Sequence, residues 1–345
     1  MDPEQNGRAL ARLRDKRVVT IGGGTGPFAL LSHLKHYPCA ITAIVSMADS
    51  GGSSRRLMDE FGQLPLGDLR QALVALSRKG TLWRDLFGHR FRQAPQTVDA
   101  SENSGVGGHS LGNLMIAALQ EMNEGNLLWA IQDAQDLLDT AGRVLPVTLA
   151  HTTLIAELED GDTVRTESEI DTRGERHPDD MRRISRILLE SDTPACGEAL
   201  RAIRRADVII IGPGDLYTSV LPSLLVQDVA AAIRASEAEK VYVCNLMTKH
   251  GETDGFKASD FVAEVHHYLG GRVDRTILHD GSFPPDLLGL YAAQQQHPVV
   301  PDRDAVAQVV PNVTVDQLLA IHGGQLVRHD AERLLHAVFT PALVI

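Results

Sequence analysis

Short runs of apolar, mostly β-branched residues recur along the chain, and several of them break at glycine. Val18-Val19-Thr20-Ile21 ends at Gly22-Gly23-Gly24-Thr25-Gly26, and helix-forming residues begin after Pro27. That order predicts a strand, a tight turn and a helix start, with Pro27 placed where its missing N–H costs nothing. Ile41-Thr42-Ala43-Ile44-Val45 leads in the same way to Asp49-Ser50-Gly51-Gly52-Ser53-Ser54. Val208-Ile209-Ile210-Ile211 is wholly apolar, as buried parallel strands are, and opens into Gly212-Pro213-Gly214-Asp215-Leu216-Tyr217-Thr218-Ser219. Val241-Tyr242-Val243-Cys244 leads to Asn245, and Arg275 to Leu278 gives one more strand.

Between these runs the apolar residues fall at helical spacing. Leu69, Leu73 and Leu76 share one face of a helix for which Asp68 is the predicted N-cap. Trp83, Phe87 and Phe91 suggest a helix over 83–91 whose aromatic stripe packs into the core. Gly107-Gly108-His109-Ser110 marks another helix start, followed by helix-rich sequence to Leu138. Further helices are predicted from Leu224 to Ile233, from about Ser259 to Leu269, and from Asp330 to Phe339, with Leu326-Val327-Arg328 as an edge strand. One region breaks the rhythm. Asp160-Gly161 is a strong hairpin turn between Thr153–Leu158 and Thr163–Ile170, and Met181, Ile184, Ile187 and Leu188 then read as one face of a charged helix. The whole pattern predicts an α/β, Rossmann-like fold: a mostly parallel, doubly wound sheet with an antiparallel hairpin insertion at about 144–190. Residues 1–16 read as a flexible lead-in and 17–345 as a single domain.

The strands of such a sheet end on one edge, so the loops at 22–26, 49–54, 107–113, 212–219 and 245–254 can converge there. All are rich in glycine, hydroxyl or amide groups and poor in lysine. A crevice of this kind binds a nucleotide or another phosphorylated ligand through backbone N–H donors and a helix N-terminus. The candidates in the first two loops are Gly23, Gly24, Thr25 and Gly26, then Asp49, Gly51, Gly52, Ser53 and Ser54. The third loop and the helix before it offer Asp68, His109 and Asn113, with Asp68 as a plain cap and His109 as a plain loop residue the bland alternatives. The last two loops offer Gly212, Gly214, Asp215, Tyr217, Thr218 and Asn245. The first loop has neither the G-x-G-x-x-G spacing of dinucleotide enzymes, since Pro27 stands where a glycine is required, nor the lysine of a P-loop.

Composition narrows the classes. The 345 residues are 43% hydrophobic and 23% charged, ordinary for a soluble globule with a large core, and the net charge of −12 disfavours nucleic acid as a partner. Three cysteines without paired spacing, Cys39, Cys196 and Cys244, give no disulfide framework and no zinc site. Met1–Lys16 has no apolar core of a signal peptide, and no apolar run approaches the ~20 residues of a membrane span. A cytoplasmic location is the expectation.

With these residues assembled, the chain resembles the YvcK family, the gluconeogenesis factors, whose relatives include the CofD phospholactate transferases. The matching runs are IGGGTG at 21–26, GGSS at 51–54, GDLRQALVALS at 67–77, GHSLGNL at 108–114, ESEI at 167–170, GPGDLYTSVLPSLLV at 212–226 and NLMTKHGETDGF at 245–256. They cover most of residues 18–270, and the tail after Ile277 carries the resemblance faintly. The YvcK branch implies binding of a nucleotide sugar such as UDP-N-acetylglucosamine, with no cofactor required, and a regulatory role in cell-wall synthesis and cell shape during gluconeogenic growth. It also implies protein partners in cell-wall synthesis and a homo-oligomer, expected to be a dimer. The CofD branch implies a magnesium-dependent transferase with a nucleoside diphosphate donor, Asp49 holding Mg2+ and Asp68 or His109 assisting proton transfer. This chain departs from the family's two adjacent acids before Gly-Gly-Ser-Ser, since Ser50 follows Asp49, and Arg55 replaces the glycine expected after Ser54. That loss weakens the transferase reading and places ligand sensing first.

Overall fold

The computed structural model describes residues 13–48, 64–92 and 106–339. Its strands, in chain order, are β1 (Arg17–Gly22), β2 (Ala40–Val45), β3 (Gly142–Pro146), β4 (Leu154–Leu158), β5 (Thr163–Arg165), β6 (Ile184–Leu189), β7 (Val208–Ile211), β8 (Glu239–Val243), β9 (Arg275–His279), β10 (Asn312–Asp316), β11 (Leu319–His322) and β12 (Leu326–His329). Seven of them form one sheet in the order β10-β9-β8-β7-β1-β2-β3, and every neighbouring pair is parallel. Helices on the faces bury it, and β1, β7 and β9 are apolar or buried along nearly their whole length.

The order of the strands fixes where a ligand can sit. From β1 the chain runs outward through β2 to β3, then returns to lay β7 on the other side of β1. The direction of winding therefore reverses between β1 and β7, which opens a crevice beyond their carboxyl ends. At the opposite end of the same pair, Asp207 accepts bonds from the Arg17 N–H (2.7 Å) and from the Arg17 guanidinium (3.0 and 2.8 Å). This pair is exposed and adds little stability, but it sets the register of β1 against β7. The helix Gly26–Leu34 turns Pro27, Leu30, Leu31 and Leu34 inward, against the helix Gly67–Leu76 and the closing helix Ala331–Phe339.

Several expectations need correction. The segment 181–188 is not a helix; from Ile184 it forms β6, which pairs antiparallel with β4 in a separate three-stranded sheet, β5-β4-β6. Ile184 and Ile187 lie three apart, which imitates helical spacing. In the structure a register shift at Glu157/Leu158 places one extra residue on β6, so both isoleucines face the core of that sheet. Residues 163–170 are not one strand either: β5 ends at Arg165 and a short helix, Glu167–Asp171, follows. Gly142–Pro146 belongs to the main sheet, so the antiparallel segment begins after it and not at residue 144. The predicted helix 83–91 is Thr81–Gly88, with Phe87 buried and Phe91 beyond it, bonded to His109 O. The stretch 224–233 is broken: a π-helical turn Leu216–Val220 runs into the helix Leu221–Leu225, and a second helix, Val229–Ala235, starts after Asp228 (φ +65°). Asp68 is not an N-cap; Leu66 holds that place and Asp68 lies in the first turn. Among the described residues, no single helix is long and apolar enough to cross a membrane.

Candidate functional site

A cavity of about 290 Å³ opens at the carboxyl ends of β1, β7 and β8. Its first wall is Gly23-Gly24-Thr25-Gly26, leading into the helix Gly26–Leu34, whose cap residue Thr25 makes no side-chain bond to the first turn. The N–H groups of that turn are thus left for an anion. Gly24 has φ +70°, a backbone conformation that a side chain strains. Gly26 packs so closely on the second wall that a Cβ there would run into Pro213 O. The second wall is Pro213, Gly214, Asp215 and Ser219, where the π-helical turn begins. Asn245, after β8, donates from Nδ2 to Gly214 O (2.9 Å), and its Oδ1 is buried without a hydrogen bond. That leaves an acceptor at the cavity with no donor from the described residues.

The third wall comes from the tail, where sequence reasoning assigned no role. Tyr291, Gln294 and Gln296 stand at and after the end of the helix Pro285–Ala292, and Val327, Arg328 and His329 lie on β12, paired with β11 in a hairpin. The Tyr291 hydroxyl accepts a bond from Val327 N (2.9 Å), which ties helix to hairpin. Arg328 donates to Val327 O (2.8 Å) and pairs with no carboxylate among the described residues, so its charge faces no internal partner there. His329 is buried, and its Nε2 donates to Cys244 O (3.1 Å). Burial pushes its pKa down to about 4, keeping the ring neutral.

The predicted residues divide. Gly23, Gly24, Thr25, Gly26, Gly214, Asp215 and Asn245 are brought together on this cavity, and Gly212 directly precedes Pro213 in its wall. Asp49, Gly51, Gly52, Ser53 and Ser54 lie outside the described residues. The Asp68 carboxylate sits against Gly23, behind the loop. His109 and Asn113 are buried at the start of the helix Leu111–Met122, where Ser110 Oγ accepts from Asn113 N (3.2 Å) and Asn113 Oδ1 accepts from Arg70 Nε (3.0 Å). They do not line the cavity. Tyr217 points into the core, edge-on to Phe256 at 6.4 Å, and Thr218 is likewise buried away from it. Their hydroxyls suggest ligand contacts in the sequence, but the π-helical turn directs both inward.

A lysine is the group most at odds with expectation. Lys249, in the loop after β8, lines the cavity with its ammonium among Asp171, Asp215 and Glu252. Burial works against its charge, but the three carboxylates outweigh that and hold its pKa above the ordinary range. Glu252 is pushed up to about 7 by burial, with the Lys249 charge pulling the other way. Lone hydrophilic residues in the run Thr248-Lys249-His250 give no sign of this, because two of the three acids, Asp171 and Asp215, come from distant segments.

A parallel sheet with a glycine-lined cavity at its switch point defines an α/β, Rossmann-like protein. The sequence profile of the family described as "2-phospho-L-lactate transferase CofD" matches residues 18–319. A gluconeogenesis factor of Halalkalibacterium halodurans is 40% identical over 328 residues, covering 94% of this chain and 96% of that protein. The gluconeogenesis factor of Bacillus subtilis is 38% identical over 320 residues, covering 92% and 95% respectively. A crystal structure of a Bacillus halodurans protein superposes with a TM-score of 0.87 at 40% identity, over 95% of this chain and all of that one. The chain belongs to the CofD family, on its gluconeogenesis-factor (YvcK) branch.

Proposed function

We propose that this chain is a cytoplasmic nucleotide-sugar-binding regulator, with a UDP-N-acetylglucosamine-like ligand, that supports cell-wall synthesis and cell shape during gluconeogenic growth. The observation that carries the ligand class is the lining of the cavity: backbone of two glycine loops from adjoining parallel strands, at the switch point of the sheet. In this reading the diphosphate lies on Gly23–Gly26 and Gly214, while Arg328 supplies charge. Tyr291, Asn245 and the glutamines Gln294 and Gln296 offer stacking and hydrogen bonds to base and sugar. The regulatory and cell-wall roles rest on the relatives' name and the family resemblance. At a ligand concentration of ~100 times Kd, mass action adds about 2.7 kcal/mol to stability. UDP-N-acetylglucosamine should therefore raise the melting temperature in a thermal-shift panel of UDP, GDP and adenine ligands. A rise with GDP alone would overturn the uridine assignment.

The match to a transferase family favours a second reading, a magnesium-dependent transferase using a nucleoside diphosphate donor. Magnesium sites use one or two carboxylates plus ligand phosphates. Among the described residues, a metal-sized cluster is formed by Asp171, Asp215 and Glu252, but Lys249 stands within it, so this cluster does not fit a resident ion. Asp49 remains the candidate ligand for that reading. Calorimetric titration of wild type and Asp49→Asn, each with magnesium and with chelator, separates the two. We expect magnesium to change wild-type affinity little, and the variant to lose about 1 to 3 kcal/mol at most. A wild-type affinity that rises tenfold with magnesium and loses that gain in the variant would establish the transferase reading instead.

A further inference from the structure

Lys249 lies at the seam of two cavities. A second one, of about 420 Å³, has Asp171, Glu175, Pro178 and His250 in its walls and shares Lys249, Gln294 and Gln296 with the first. Around the Lys249 ammonium stand three carboxylates: Asp171 Oδ1 in direct contact, Asp215 Oδ2 at 2.8 Å and Glu252 Oε1 at 3.0 Å. They come from separate segments: the end of the helix Glu167–Asp171, the loop after β7, and the loop after β8. Their oxygens lie within 4.8 Å of one another, a span over which three ligands can hold one ion. The Glu252 side chain is only 1% exposed, and its Oε2 accepts no hydrogen bond among the described residues. Its Oε1 is aimed at the Lys249 ammonium.

An ammonium is a compact point charge with three donors, which matches three converging carboxylates; a planar guanidinium does not. Three carboxylates without it would repel one another and form an oxygen cage suited to a hard divalent cation. We infer that Lys249 is a built-in cation, occupying the point between Asp171, Asp215 and Glu252 where a divalent metal would otherwise be held, and that it makes the adjoining anion site independent of metal. The last clause rests on the nucleotide-binding reading; the occupancy of the cluster does not.

The test uses Mn2+ and electron paramagnetic resonance on the full chain, without nucleotide. Lys249→Gln should bind one more Mn2+ than wild type. Adding Asp215→Asn to that variant should abolish the extra ion. In the wild-type background Asp215→Asn should leave the Mn2+ count unchanged, and this comparison decides the matter should Lys249→Gln fail to fold. No extra ion in a folded Lys249→Gln, or a wild-type ion lost in Asp215→Asn, overturns the inference. A second arm follows affinity for UDP-N-acetylglucosamine: insensitive to magnesium in wild type, strengthened tenfold or more by it in Lys249→Gln. If neither protein binds the nucleotide while the Mn2+ difference stands, the nucleotide reading fails and the built-in cation holds.

Discussion

Gly24→Val should abolish ligand binding while the far-UV spectrum stays native-like, and Gly26→Val should damage the fold itself. The two glycines are two residues apart and do different things. Gly24 sits at φ +70° with Ser219 Oγ 3.0 Å from where a Cβ would be, at the mouth of the cavity. A side chain there costs about 1–2 kcal/mol of backbone strain and fills the space that a phosphate requires. Gly26 instead faces Pro213 O and Gly214 N, which are backbone and belong to the neighbouring strand's loop. Valine can fit only by pushing the β1 and β7 loops apart, at the upper end of what overpacking costs, about 3 kcal/mol. Urea melts and calorimetry with UDP-N-acetylglucosamine give both numbers for each variant. Normal binding by Gly24→Val would show that the first loop is an ordinary turn.

Lowering the pH from 7 to 4 should cost wild type about 3 kcal/mol more stability than it costs His329→Gln. His329 is buried beside Cys244 O with its pKa lowered to about 4, against an ordinary 6.5. Between those values the unfolded chain carries a proton on this ring and the folded chain does not. Stability therefore rises with pH across the window and is lost as pH falls through it. Every tenfold weakening of proton binding in the folded state corresponds to about 1.4 kcal/mol, which sets the size of the effect. His279 is also lowered, by burial, and acts in the same direction. Glu252, raised to about 7 by burial, acts in the opposite one, since its folded form holds a proton that the unfolded form releases above about 4.5. Both are common to wild type and His329→Gln, so the difference between the two proteins isolates His329. Parallel urea melts at pH 4, 5, 6 and 7 measure it. Equal pH slopes for the two proteins would mean that His329 is not held neutral.

The strands legible in the sequence share one physical signature. Val18–Ile21, Val208–Ile211 and Val241–Val243 are buried on both faces, so their runs are almost wholly apolar and their ends are marked by glycine or asparagine. Those same ends make two walls of the cavity, which is why Gly24, Gly26, Gly214 and Asn245 were legible. The third wall was not. Tyr291, Gln294, Gln296 and Arg328 are single polar residues on a short helix, its following turn and an exposed hairpin, where no periodicity marks them. Lys249 looks like one polar residue among several, because its meaning depends on Asp171, 78 residues away. β6 reads as helix because a bulge mimics the spacing of one. Tyr217 reads as a ligand contact because its hydroxyl lies beside glycines, whereas burial of its ring decides its direction.

The pairing of β1 with β7 also has a consequence for how the protein is made. Val18 pairs with Val208, 190 residues further along, so the strand that emerges first waits for its partner through most of synthesis. At ~5–20 residues per second that interval is roughly 10 to 40 s, during which one flank of β1 has no partner strand. Long-range parallel pairing is also slow to form once both strands exist. The cavity is later still, since Tyr291 and Arg328 must arrive before its third wall closes. On the proposed nucleotide-sugar reading, ligand would therefore stabilise only a nearly finished chain and favour completed molecules over nascent ones.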